Sequence, residues 1–147
     1  MASIASNEPY LSSALSVLRA LVNDVESAGI PRDRIVLMGF SQGACLVTEF
    51  AIRHASRFGG VVAFSGGAIG EPGRVWDVSG RFDGTPIFFG CSDVDAHVPE
   101  ARVRESADVC ARIGGEVTTR IYRGMGHLVN DDEIDWARQL IHRLNTD

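Results

Sequence analysis

Gly39-Phe40-Ser41-Gln42-Gly43 has the form G-x-S-x-G, a frame in which a serine can attack an ester carbonyl. On its own the pattern says little. Two glycines and a serine at these offsets arise by chance in roughly one chain in ten to twenty of this length. The setting says more. Ile35 to Phe40 is a short, almost unbroken apolar run, the profile of a strand buried on both faces. Gln42 to Ser56 reads as a well-buried helix through Ala44, Leu46, Val47, Phe50, Ala51 and Ile52. A chain that passes from strand to helix at one residue must turn sharply. That puts Ser41 in a strained backbone conformation, with its hydroxyl exposed at the C-terminal end of a sheet. Glycine at 39 and 43 would let strand and helix approach without a Cβ between them. The helix N-terminus directs free N–H groups at the same point and favours negative charge there, so the Gln42 N–H is the expected oxyanion donor.

A serine needs a base to take its proton. Four histidines are available. His54 lies about 13 residues down the helix that Ser41 opens, roughly 20 Å away, and cannot reach. His142 falls in the terminal helix and reads as a surface residue. His127 follows the fourth strand in Gly124-Met125-Gly126-His127, where catalytic groups converge in an open α/β sheet, and is favoured over His97. A carboxylate must orient the imidazole and stabilise its cation. Asp93 and Asp95 both follow the third strand and either could serve. Asp131, Asp132 and Glu133 follow His127 and read as first-turn acids that complement a helix dipole.

The elements that carry these residues alternate. A helix over Pro9 to Ala28 has Leu11, Leu15, Leu18, Val22 and Val25 on one face and is stopped by Gly29 and Pro31. Strands are predicted at Ile35 to Phe40, Val61 to Phe64, Pro86 to Cys91 and Val117 to Tyr122, the last half exposed. Helices are predicted over Glu100 to Ile113 and along Ile134, Ala137, Ile141 and Leu144. Ala68 to Gly84 is rich in glycine and charge and is expected to be a lid or surface loop. Alternating strands and helices imply a parallel sheet with helices on both faces. The 147 residues suit a single α/β domain over 1–147.

With 45% hydrophobic and 22% charged residues, the chain has the profile of a folded globular protein. The net charge of -5 and the lack of a basic run argue against nucleic acid as a partner. No apolar stretch is long enough to span a membrane, and the N-terminus lacks a signal-peptide core. Cys45, Cys91 and Cys110 have neither metal-ligand nor disulfide spacing and read as buried free thiols, which makes a reducing cytoplasm the expected location.

Taken together, several segments resemble the phospholipase/carboxylesterase family, which includes the acyl-protein thioesterases. They are Gly29-Ile30-Pro31, Asp33 to Leu37, Gly39 to Gly43, Val62 to Gly66, Asp93-Val94-Asp95-Ala96-His97-Val98-Pro99 and Tyr122 to His127. The resemblance implies a truncated α/β-hydrolase fold with a short, mostly parallel sheet of about four strands. It also makes Asp95, four residues before the "VP" proline, the catalytic acid, with Asp93 the runner-up. Two features depart from the family pattern. Ala96 stands where the family has proline, and Cys91-Ser92 stands where it has "HG". Family members are also longer, and their extra N-terminal strands carry a loop that supplies a second oxyanion N–H. The chain corresponds to about the C-terminal two-thirds, and one missing donor costs about a hundred- to a thousandfold in turnover.

The expected function is serine-dependent hydrolysis of small or short-chain carboxylic esters, and of thioesters, through an acyl-enzyme on Ser41. No metal or organic cofactor is implied. A truncated, inactive binding or assembly module is the competing reading, and acyl transfer from the same acyl-enzyme is a third. The strand leading to Ser41 should lie at an edge without charge, proline or bulge to blunt it. The expectation is therefore a two-fold homodimer covering Ile35 to Phe40. The alternative is that the N-terminal helix covers that edge within one chain.

Overall fold

The computed structural model describes residues 3–146. Four strands form one sheet in the order β1-β2-β3-β4, with β1 Val36–Phe40, β2 Gly60–Phe64, β3 Pro86–Ser92 and β4 Glu116–Tyr122. All three pairings are parallel, from Val36 opposite Gly60 to Ser92 opposite Tyr122. The helices are α1 Tyr10–Ser27, α2 Gln42–Arg53, α3 Glu100–Arg112 and α4 Asp131–Thr146.

Period-two alternation sorts the strand side chains between two cores. Leu37, Val61, Ala63, Ile87, Phe89 and Cys91 face one side, where α1, α2 and α3 bring Leu11, Leu15, Val22, Phe50, Ile52, Val103 and Cys110. Val62, Phe64 and Phe88 face the other, where α4 brings Ala137 and Leu140. The sheet is thus covered on both faces, more thickly on the first. All three cysteines are free and buried.

Two expectations need correction. The first concerns β1, which is not buried on both faces. Leu37 is buried, but Met38 and Phe40 on the opposite face are 41% and 43% exposed. This strand lies at the edge of the sheet, and α4 packs over β2 rather than over it. Nor does α1 cover the edge. It packs on α2, and among the described residues β1 has no strand partner on its outer side. The second concerns residues 66–84, which contain no helix or strand yet are neither a free lid nor a plain surface loop. Ala68 and Phe82 are fully buried, and Ile69, Trp76 and Val78 pack against the main core. Spaced apolar residues held by long-range contacts fix this segment, and neither sequence period reports them.

Candidate active site

Three loops at the C-terminal ends of β1, β3 and β4 bring the predicted residues together. Ser41 stands between β1 and α2 with φ 55° and ψ -119°, a region that side-chain-bearing residues rarely adopt. Such a conformation costs about 1–3 kcal/mol and persists where the surroundings enforce it. Here the Ser41 N–H donates to Phe64 O at 2.9 Å, which continues the sheet ladder. The Ser41 carbonyl accepts the Cys45 N–H at 3.0 Å, which opens the helix. The side chain makes no capping bond, so the hydroxyl is left for other partners and the first-turn N–H groups of α2 stay open.

Only one of the two motif glycines is required by packing. A Cβ at Gly39 would lie 2.3 Å from the Gly43 carbonyl carbon, so the strand meets the helix backbone there. A Cβ at Gly43 would meet nothing within 4 Å, so the expected steric role of the second glycine is not found.

The Ser41 hydroxyl lies 2.8 Å from Nε2 of His127, and Nδ1 of His127 lies 2.7 Å from Oδ2 of Asp95. An ionised carboxylate can only accept, so the imidazole proton sits on Nδ1 and Nε2 is free to accept from Ser41. The Asp95 side chain is fully covered. Burial works to raise its pKa, but the bond from His127 and the N–H groups of Val98 and His97 outweigh it. They hold the carboxyl below its ordinary range. Those two N–H groups donate to Oδ1 at 2.9 and 2.8 Å, so both oxygens of Asp95 are committed.

Asp93 is placed differently. Its Oδ1 accepts the Gly124 N–H at 2.8 Å, and its neighbour Ser92 accepts the Gly126 N–H at 2.9 Å. Together they clamp the turn that carries His127. His97 makes no bond to Ser41; its ring stands edge-on to that of His127, with centroids 4.7 Å apart. The Phe40 ring also stands beside that of His127, with centroids 4.9 Å apart. His54 caps the far end of α2 and His142 is exposed, away from this cluster. Burial pushes the Cys91 thiol up to about 11 and that of Cys110 to about 12, so neither is a thiolate at neutral pH.

Glu133 lies in the first turn of α4, as expected of a dipole-complementing acid, and is in addition fully buried. Its Oε2 accepts the Asn130 N–H at 2.8 Å, and Asn130 Oδ1 accepts the Glu133 N–H at 2.9 Å, a reciprocal cap at the end of the His127 loop. The carboxylate lies over Gly90 of β3, where a Cβ would fall 1.9 Å from Oε1, and that oxygen has no partner among the described residues. The N-x-x-E spacing was the signal for the cap, but nothing in the sequence announced the burial. Asp132 keeps to the surface and accepts from Arg120 and the Tyr122 hydroxyl, each at 2.7 Å, which ties the start of α4 to β4.

A family model described as phospholipase/carboxylesterase matches residues 2–145, almost the whole chain. The chain belongs to that hydrolase family. It is 28% identical over 128 residues to acyl-protein thioesterase 1 of Gibberella zeae, covering 84% of this chain and 53% of that protein. For the Eremothecium gossypii acyl-protein thioesterase 1 the figures are 29% over 133 residues, 87% and 55%. The crystal structure of a phospholipase/carboxylesterase from Dyadobacter fermentans superposes with a TM-score of 0.92 at 38% identity, covering 97% of this chain and 68% of that one. A Bacillus cereus carboxylesterase, at 18% identity and a TM-score of 0.76, shares the fold. The chain spans about half the length of the curated relatives it matches. No helix among the described residues is long and apolar enough to cross a membrane.

Proposed function

We propose that this chain is a serine carboxylesterase that hydrolyses small acyl esters, thioesters among them, through an acyl-enzyme on Ser41. The observation that carries the reading is the unbroken hydrogen-bonded path from Asp95 through His127 to Ser41 at a strained strand–helix turn. Ser41 Oγ attacks the carbonyl carbon as His127 Nε2 takes its proton. Asp95 stabilises the imidazolium, and the Gln42 N–H meets the charge that develops on the carbonyl oxygen. The imidazolium then protonates the departing alcohol or thiol. A water, deprotonated by the same nitrogen, releases the acid and frees Ser41. Membership of a hydrolase family and the curated relatives' name, acyl-protein thioesterase 1, support the ester and thioester chemistry. The inactive binding module is not favoured, because every proton in the proposed relay has a donor and an acceptor at bonding distance.

The test is hydrolysis of p-nitrophenyl esters by wild type and Ser41→Ala. A loss of several powers of ten in the variant is expected. Activity within tenfold of wild type, with contaminating esterase excluded, would overturn the assignment. The same reading takes the 147-residue chain as a two-fold dimer across β1, where Met38 and Phe40 are exposed and, among the described residues, no strand pairs with the outer side. Three buried free thiols support the cytoplasm as its location.

A further inference from the structure

At the end of α2 remote from Ser41, a cavity of about 360 Å³ lies between that helix, the middle of α1 and the turn that precedes β1. Buried Val22 and Phe50 give it an apolar floor, and Arg19, Arg32 and His54 give it a basic rim. A second hollow of about 240 Å³ shares Arg19 and His54 with it and adds Arg53. Three elements thus bring three arginines and a histidine together on a protein whose net charge is -5.

Two of these cations are already paired. Arg32 donates to both carboxylate oxygens of Glu26, from Nε at 3.1 Å and Nη2 at 2.6 Å, which fixes its side of the rim. Arg53 donates from Nε to buried Glu49 at 2.7 Å. Arg19 has no carboxylate partner among the described residues. The His54 ring lies against Phe50, with centroids 4.7 Å apart. Burial, then Arg19, Arg32 and Arg53, hold its imidazole below the ordinary histidine pKa, so it is neutral at neutral pH.

The end of a helix favours cations, which accounts for Arg53 and His54 at the C-terminal end of α2. It does not account for Arg19, which sits in the middle of α1 and gains nothing from a helix end. Like charges gathered without a partner raise the energy of the free protein, and an anion seated among them removes that cost. With His54 protonated, Arg19, Arg32, Arg53 and His54 exceed Glu26 and Glu49 by two charges. A phosphate monoester carries about that much negative charge near neutral pH. We propose that this cavity binds a small organic phosphate, its phosphate held by Arg19 and His54 and its apolar body laid on Val22 and Phe50. The Arg19 fork supplies parallel N–H donors to two phosphate oxygens. His54 supplies one N–H and takes up a proton as the anion binds. The site lies about 20 Å from Ser41, along the length of α2, and is independent of the hydrolase reading.

The experiment follows the His54 ring resonances of the full chain by NMR as phenyl phosphate is added. Saturable shifts with a Kd of about 1 mM or below are expected. The pKa of His54 should rise by about one in the complex, because a bound dianion favours the imidazolium. Arg19 is exposed, so Arg19→Ala leaves the packing intact. It should weaken binding about ten- to a hundredfold, the range for losing hydrogen bonds to a charged group, and raise the His54 pKa of the free protein. Inorganic phosphate leaves the apolar floor uncovered and should bind at least about tenfold more weakly. Equal affinity would overturn the contact with Val22 and Phe50. Benzoate has the same ring and less charge, and affinity equal to that of phenyl phosphate would overturn the phosphate assignment. Absence of saturable binding, or binding that Arg19→Ala leaves unchanged, would overturn the site. A protein that ignores phenyl phosphate yet sediments with phosphatidate vesicles, and loses this with Arg19→Ala, would overturn the soluble ligand in favour of a lipid headgroup.

Discussion

Asp93 and Asp95 are two residues apart and chemically identical, yet their surroundings give them different work. Asp95 has both oxygens committed and one of them touches His127, whereas Asp93 holds a backbone N–H of the turn on which His127 rides. Asp95→Asn would put a donor or a weaker acceptor against Nδ1 and favour the wrong tautomer, a change worth about ten-thousandfold in kcat where the same geometry operates. Asp93→Asn keeps a carbonyl oxygen able to accept from Gly124, so a loss of about tenfold or less is expected. Steady-state kinetics on the two variants decide, and the reverse order would move the acid's role to Asp93. Glu133 allows a second prediction at this scale. Burial raises its pKa, helped by Asp132, while the Asn130 N–H works to lower it. The folded protein therefore keeps a proton that the unfolded chain has already released, and rising pH pulls towards unfolding through that interval. Glu133→Gln removes this component, so its stability should fall less between pH 5 and pH 8 than that of wild type in urea unfolding. Equal slopes would show that Glu133 is ionised in the fold at no cost. Asp95 has the opposite sign. Its lowered pKa contributes stability above the ordinary carboxylate range, and that contribution is lost as the solution is acidified.

At the scale of elements, the G-x-S-x-G turn is asymmetric. Gly39→Ala drives a Cβ into the backbone of Gly43 and should destabilise by about 3 kcal/mol or more. Gly43→Ala adds a methyl to open space in a helix and should stabilise by about 0.5 kcal/mol. Chemical denaturation checks both, and comparable losses at the two positions would contradict the packing described. The same contrast shows what could be read in advance. The alternation of strand and helix, and the positions of Ser41, Asp95 and His127 after β1, β3 and β4, were legible because period, turn residues and motif spacing are local in the chain. Asp95 needed the family resemblance, since spacing alone left Asp93 equal to it. The exposure of Met38 and Phe40, the burial of Glu133 and the fastening of residues 68–70 by Ser106, Glu49 and Arg102 were not legible. Each depends on which element comes to lie beside it, and no property of the residues themselves records that.

In the whole molecule, helices α1, α2 and α3 close one face of the sheet, while α4 leaves the β1 end of the other face open beside His127. The proposed dimer would pair two copies along β1, an edge strand without charge whose Met38 and Phe40 are exposed. Light scattering at micromolar concentration should give twice the chain mass of 15.8 kDa, and Met38→Lys should return the monomer. A monomer mass for wild type with full activity would rule the dimer out. The central claim, an activated serine in this fold, is tested most directly by a fluorophosphonate probe, which forms a covalent adduct only with such a hydroxyl. The account predicts one adduct per chain, located on Ser41 by peptide mass spectrometry and absent from both Ser41→Ala and His127→Ala. An unlabelled wild-type protein that is folded, or a label that survives either substitution, would contradict it.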